Sequence, residues 1–197
     1  MNSAPLRILA LPGSLRVGSV NAALLRAAAK LAPAQTVVTL FKDLAGVPLF
    51  NEDLEAGPLP AAVAKLRSSI EESDGVLIAT PEYNNSIPGV LKNAIDWLSR
   101  PAPTKPLVGK PIAVIGATTG GWGTRLAQAA LRQVLFSTES LVLPSPGLFV
   151  RVAGGVFDAD GTLIDPASIH ALSDLMKGFN DWIQRMKPSS HRRRQTS

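Results

Sequence analysis

Apolar runs and helical stripes alternate along this chain. Residues 6–11 (LRILAL) are apolar at almost every position, which predicts a buried strand. Over 20–32, Val20, Leu24, Ala27 or Ala28, and Leu31 recur at helical spacing and predict a helix with one core face, closed by Pro33. The alternation continues with a β-branched strand over 36–41 and a helix over 61–73 that carries Val63, Leu66 and Ile70 on one face. A continuously apolar strand follows over 75–80, then a helix over 88–98 that opens on Pro88 and has Leu91, Ala94 or Ile95, and Leu98 as its stripe. Residues 112–115 lie in a fourth strand and 124–136 form a helix. The fifth strand starts over 140–143 and resumes at 148–150, beyond Pro144 and Pro146. The closing helix, 165–186, places Leu172, Leu175, Met176, Phe179, Ile183 and Met186 on one side. Residues 44–60, with three prolines and two glycines, read as a long loop packed over the sheet edge.

Strict alternation of strand and helix implies a parallel sheet covered on both faces. Five such strands match an α/β, flavodoxin-like doubly wound sheet in the order 2-1-3-4-5. Ligands bind these sheets at the carboxyl ends of the strands, where the winding reverses. The turns after strands one, three and four are therefore expected to meet.

Composition narrows the picture. A chain of 197 residues, 46% apolar, is one domain with a substantial core. It has no cysteine, which removes disulfides, thiolate catalysis and cysteine-based metal sites. No charged-then-apolar leader and no apolar run near 18 residues occurs, so a cytoplasmic protein without membrane contact is expected. The net charge is +5, but Lys187, Arg192, Arg193 and Arg194 supply four of these charges. Residues 1–187 are read as the folded domain and 188–197 as a basic, disordered tail, not a nucleic-acid face.

The candidate chemistry begins at 13–21, Gly-Ser-Leu-Arg-Val-Gly-Ser-Val-Asn, between the first strand and first helix. Backbone N–H groups and the positive end of a helix dipole suit a phosphate there. Gly13 and Gly18 have P-loop spacing, but Ser19 and Val20 stand where Lys and Ser/Thr belong, and no G-x-G-x-x-G occurs. Ser14, Arg16, Ser19 and Asn21 suit one terminal monoester phosphate without a metal; an ordinary turn with Ser19 as N-cap is the alternative. After strand three, residues 80–89 form a polar segment stiffened by Pro81 and Pro88, fit to read the edge of a flat heterocycle through its backbone. Tyr83, the single tyrosine, sits there beside Glu82; a surface aromatic and a solvated carboxylate are their plain alternatives. After strand four, 116–124 holds four glycines in nine residues, so backbone can approach a ligand closely, with Thr118 and Thr119 offering hydroxyls.

These three segments resemble the NAD(P)H-dependent FMN reductase family, which includes quinone, chromate and azo-dye reductases. The likeness lies in residues 13–21, in 80–97 (TPEYNNSIPGVLKNAIDW) and in the glycine-rich turn with Arg125 behind it. It implies FMN as cofactor, NADPH or NADH as hydride donor, and a quinone or similar small acceptor. Ser14, Arg16, Ser19, Val20 and Asn21 would hold the FMN phosphate. Pro81, Glu82, Tyr83 and Asn84 would line the pyrimidine side of the ring, and Thr118, Gly120 and Gly121 the other flank. Hydride would pass to flavin N5 and two electrons onward, with no protein nucleophile or metal. The resemblance also implies a homodimer or homotetramer in which a neighbour roofs the flavin, with the helix from Pro88 and the segment from Trp122 as contact surfaces. Arg100 would attract a phosphate of NAD(P)H or an anionic acceptor, or serve the surface. A passive flavodoxin-like electron carrier is the competing class; carriers of that kind are strongly acidic, and this chain is not.

Residues 157–163 (FDADGTL) imitate the aspartyl-nucleophile motif D-x-D-G-T. Only 34 residues follow, too few for the rest of such a phosphatase domain. The segment is read as a polar turn, with Asp165 as N-cap of the last helix.

Overall fold

The computed structural model describes residues 4–100 and 104–187, and the expected tail over 188–197 lies outside them. Strands β1 (Leu6–Pro12), β2 (Thr36–Leu40), β3 (Gly75–Ala79) and β4 (Pro111–Thr118) are followed by two short strands, β5 (Leu141–Val142) and β6 (Leu148–Arg151). The order is β2-β1-β3-β4-β5, with β6 also paired to β4. All pairings are parallel, so the expected doubly wound sheet is present. Its fifth position is filled by two pieces, as the prolines at 144 and 146 required: β5 pairs with the start of β4, and β6 with its end.

Helices are α1 (Val20–Leu31), the single turn α2 (Glu52–Glu55), α3 (Ala61–Glu71), α4 (Gly89–Ser99), α5 (Arg125–Ser137) and α6 (Pro166–Met186). The continuous apolar strands split their side chains by the period of two. Ile8 and Ala10, Leu77 and Ala79, and Ala113 and Ile115 face one core with α1 and α6. Leu9 and Leu11, Val76 and Ile78, and Ile112 and Val114 face the other with α3, α4 and α5. Leu172, Leu175, Met176, Phe179 and Ile183 of α6 are buried as the stripe predicts, and Asp165 caps that helix through Ser168 N–H at 2.8 Å.

The long loop is more ordered than its composition indicates. Its Pro48 carbonyl accepts from Asn93 Nδ2 and Trp97 Nε1, each at 2.8 Å, and Phe50 N–H donates to Asn93 Oδ1 at 2.7 Å. The loop is thus bolted to α4. Residues 157–163 form the expected polar turn, with Asp158 Oδ1 accepting from the N–H groups of Asp160 and Thr162. His170 is exposed and lies 3.2 Å from Asp174.

Candidate functional site

Strand register decides what meets. Pro12 is level with Ala79, and Ala79 with Ile115, so the three loops leave the same sheet edge. This edge lies at β1 and β3, where the winding reverses. The junction is tight at Gly13 and has no room for a side chain at Gly116. A Cβ on Gly13 would stand 3.1 Å from the Ala79 carbonyl and 3.3 Å from Pro81 Cδ. A Cβ on Gly116 would stand 2.0 Å from Thr124 Oγ1 and 2.5 Å from the Thr80 carbonyl.

The first loop is shaped as an anion cradle. Ser19 caps α1 by accepting from Ala22 N–H at 3.3 Å, and its side chain is thereby committed to the helix. The N–H groups of Val20 and Asn21 carry no acceptor among the described residues. Ser14 is half-buried and accepts from Arg16 N–H at 3.3 Å. Arg16 is exposed, donates to the Gly18 carbonyl at 3.3 Å, and pairs with no carboxylate among the described residues. Two free amides at a helix N-terminus, a hydroxyl and one unpaired guanidinium fit a terminal phosphate. The Asn21 side-chain amide is buried and tied in both directions to Ala117, and its backbone N–H is the second free amide of the helix start.

The second loop is rigid. Thr80 N–H donates to the Ile115 carbonyl at 2.9 Å, and its hydroxyl to the Pro81 carbonyl at 2.8 Å. Tyr83 and Ser86 exchange two backbone hydrogen bonds of 3.0 Å each. Between them Asn84 and Asn85 have φ of 50° and 62°, the two positive values of a type I′ turn. Tyr83 is exposed. Glu82 is not a solvated carboxylate: its Oε2 accepts from Ala127 N–H, in the first turn of α5, at 3.0 Å. That contact spans 45 positions, and no local sequence signal announces it.

The third loop leaves β4 three residues above the last β3 partner. Thr118 Oγ1 accepts from Gly120 N–H at 3.2 Å, and Gly120 and Gly121 are exposed. Gln128, missed by sequence reasoning, is buried and donates to Thr124 Oγ1 and to the Leu148 carbonyl. Arg100 lies in a different setting from the one expected for a substrate-binding cation. It pairs with Glu55 at 2.8 Å and covers the Phe50 ring, because α2 is folded back on the end of α4. The apolar stripe of α4 faces the core, whereas Trp122 is 80% exposed beside the cation–π pair of Arg125 and Phe149.

The cradle and the two loops form an open rim, with Tyr83, Gly120 and Gly121 exposed. A cavity of about 260 Å³ lies elsewhere, between α1 and the 158–163 turn, and none of the expected site residues line it. Among the described residues no cluster of metal-ligating side chains occurs, and no helix is long and apolar enough to cross a membrane.

Comparison with known proteins gives the family. The family model described as NADPH-dependent FMN reductase matches residues 6–155. An NAD(P)H-dependent FMN reductase of Pseudomonas aeruginosa is 42% identical over 182 residues, 92% of this chain and 97% of the relative. A quinone reductase of Escherichia coli is 39% identical over 187 residues, 94% of this chain and 99% of the relative. Among solved structures, the flavoenzyme NAD(P)H:(acceptor) oxidoreductase FerB of Paracoccus denitrificans superposes with a TM-score of 0.84 at 36% identity, covering 92% of this chain and 98% of the other.

Proposed function

The chain belongs to the NADPH-dependent FMN reductase family, and we propose that it carries two electrons from NAD(P)H through bound FMN to a quinone or similar small acceptor, in two alternating half-reactions. Bound FMN would supply the two-electron redox chemistry, accepting hydride from the nicotinamide and returning reducing equivalents to the acceptor. The protein's part is to bind, orient and polarise. The N–H groups of Val20 and Asn21, with Ser14 and Arg16, hold the phosphate; Ser19 holds the helix end that presents them. Residues 81–84 offer backbone from a stiff turn to one edge of the ring, and Thr118, Gly120 and Gly121 border the other flank. No nucleophile is needed, which suits a chain without cysteine and with an exposed His170.

The observation that carries this reading is the meeting of an anion cradle with two backbone-rich loops, the one over 80–86 rigid, at the point where the winding reverses. The open rim also calls for a cover. A second subunit docking through Trp122, Leu126 and Phe149 supplies it, in a homodimer or homotetramer. The experiment is a visible spectrum of the protein with FMN, followed by anaerobic NADPH and then a quinone. Bands that bleach within seconds and return with quinone support the reductase. Flavin that binds but resists both nicotinamides supports an electron carrier, and absence of flavin binding overturns the phosphate cradle.

A further inference from the structure

Helix α5 does not cap itself. Its N-cap residue Thr124 has φ −107° and ψ 38°, outside the extended form that lets a side chain fold back on the helix, and makes no cap bond. The Thr124 hydroxyl accepts instead from Gln128 Nε2 at 2.9 Å and packs against Gly116. The cap arrives from another loop, as the carboxylate of Glu82 on the N–H of Ala127. Around Glu82 the backbone is already fixed on both sides: Thr80 is hydrogen-bonded to β4, and Tyr83 is paired with Ser86. The Glu82 side chain is therefore a strut between two segments, 80–86 and 118–127. It also sets a carboxylate at the positive end of the α5 dipole.

We propose that Glu82 is a positioning residue that joins the two ring-flanking loops into one rigid unit, an inference that rests on the FMN reading above. The phosphate cradle belongs to β1 and α1 and is held by different bonds. Losing the strut therefore loosens the grip on the isoalloxazine and leaves the grip on the phosphate intact. Riboflavin, which lacks the phosphate, separates the two.

The test titrates FMN and riboflavin, by flavin fluorescence, into apoprotein of the wild type and of Glu82→Ala, Glu82→Asp and Glu82→Gln, with thermal unfolding of each apoprotein alongside. Ala removes the acceptor and Asp is one methylene short, so both are expected to weaken FMN and riboflavin by the same factor, about tenfold, with the ratio between the flavins unchanged. Gln keeps an oxygen in place and is expected to stay within about twofold of wild type. A lowered melting temperature with unchanged flavin affinities would reduce Glu82 to a structural cap and overturn the proposal. So would a Gln variant as defective as Ala, because charge and not geometry would then be the active property. Wild-type protein that binds neither flavin overturns the FMN reading and this inference together; wild type that binds, with an Ala variant that binds equally well, overturns this inference alone.

Discussion

Asn21 and Ala117 exchange two hydrogen bonds of 2.8 Å: the Asn21 amide donates to the Ala117 carbonyl, and the Ala117 N–H donates to Asn21 Oδ1. The reason lies in the unequal lengths of two strands. β3 stops at Ala79, level with Ile115, and Thr80 N–H serves the Ile115 carbonyl as the last bond along that edge. Two residues on, the same edge of β4 presents a buried peptide with no strand beside it. A side-chain amide presents an N–H donor and a C=O acceptor at the spacing of a peptide, so Asn21 stands in for the missing strand. The start of α1, where the anion cradle sits, is thereby locked to the sheet.

Removing this side chain is costly. Asn21→Leu leaves a buried N–H and a buried C=O unpaired and is expected to lower unfolding free energy by about 2–4 kcal/mol in urea titration. Asn21→Asp is expected to fail almost as badly, since a carboxylate cannot donate to the Ala117 carbonyl. An Asp variant as stable as wild type would show that the donor half of the pair is dispensable.

Gly116, near the end of β4, and Gly120, in the third loop, should behave oppositely. Gly116→Ala drives a methyl into Thr124 and the Thr80 carbonyl, backbone that the parallel sheet holds in place, and is expected to cost about 3 kcal/mol. At Gly120 an added Cβ meets only Thr118, at 3.6 Å and beyond, so Gly120→Ala is expected to fall within about 0.5 kcal/mol of wild type. Thermal unfolding of the two apoproteins decides it; equal losses would place the crowding elsewhere.

The contrast between these sites marks what a sequence can disclose. Strand and helix periods are local, so the order of elements, the core stripes of α1 and α6, and the split fifth strand were legible from apolar spacing and from Pro144 and Pro146. The I′ turn was half legible: Asn84 and Asn85 tolerate positive φ, but that same composition suits a loop of any kind. What stayed hidden are polar contacts between distant positions. Asn21 reads like a phosphate ligand because an amide at a helix start suits one, yet it is spent 96 residues away on Ala117. Glu82 and Arg100 read as free charges for the same reason, and only the fold brings Ala127 and Glu55 to them.

Arg16 is the cradle's cation, and among the described residues its side chain reaches only the Gly18 carbonyl. Arg16→Ala is expected to weaken FMN by about tenfold and leave riboflavin affinity unchanged, since one charge-assisted contact to a dianion is worth roughly 1.5–3 kcal/mol. Paired titrations of the two flavins measure it. Equal weakening of both would move Arg16 away from the phosphate and toward the ring.

Asp165 offers a pH test of the last helix. Its carboxylate is held below the ordinary 3.8 by the Ser168 hydroxyl first and the Ser168 N–H second. The folded protein therefore keeps this group ionised at a pH where the unfolded chain has begun to take up its proton. A depressed folded pKa gives stability that is fully present above the unfolded value and is lost as pH falls through the folded one. Asp165→Ala has no cap at any pH. The difference in melting temperature between wild type and this variant is thus expected to be constant from neutral pH down to about pH 5, and to shrink from about pH 4 downward. A difference that holds undiminished to about pH 2.5 would mean that Asp165 caps α6 equally well when protonated, and that its ionisation contributes nothing to the fold.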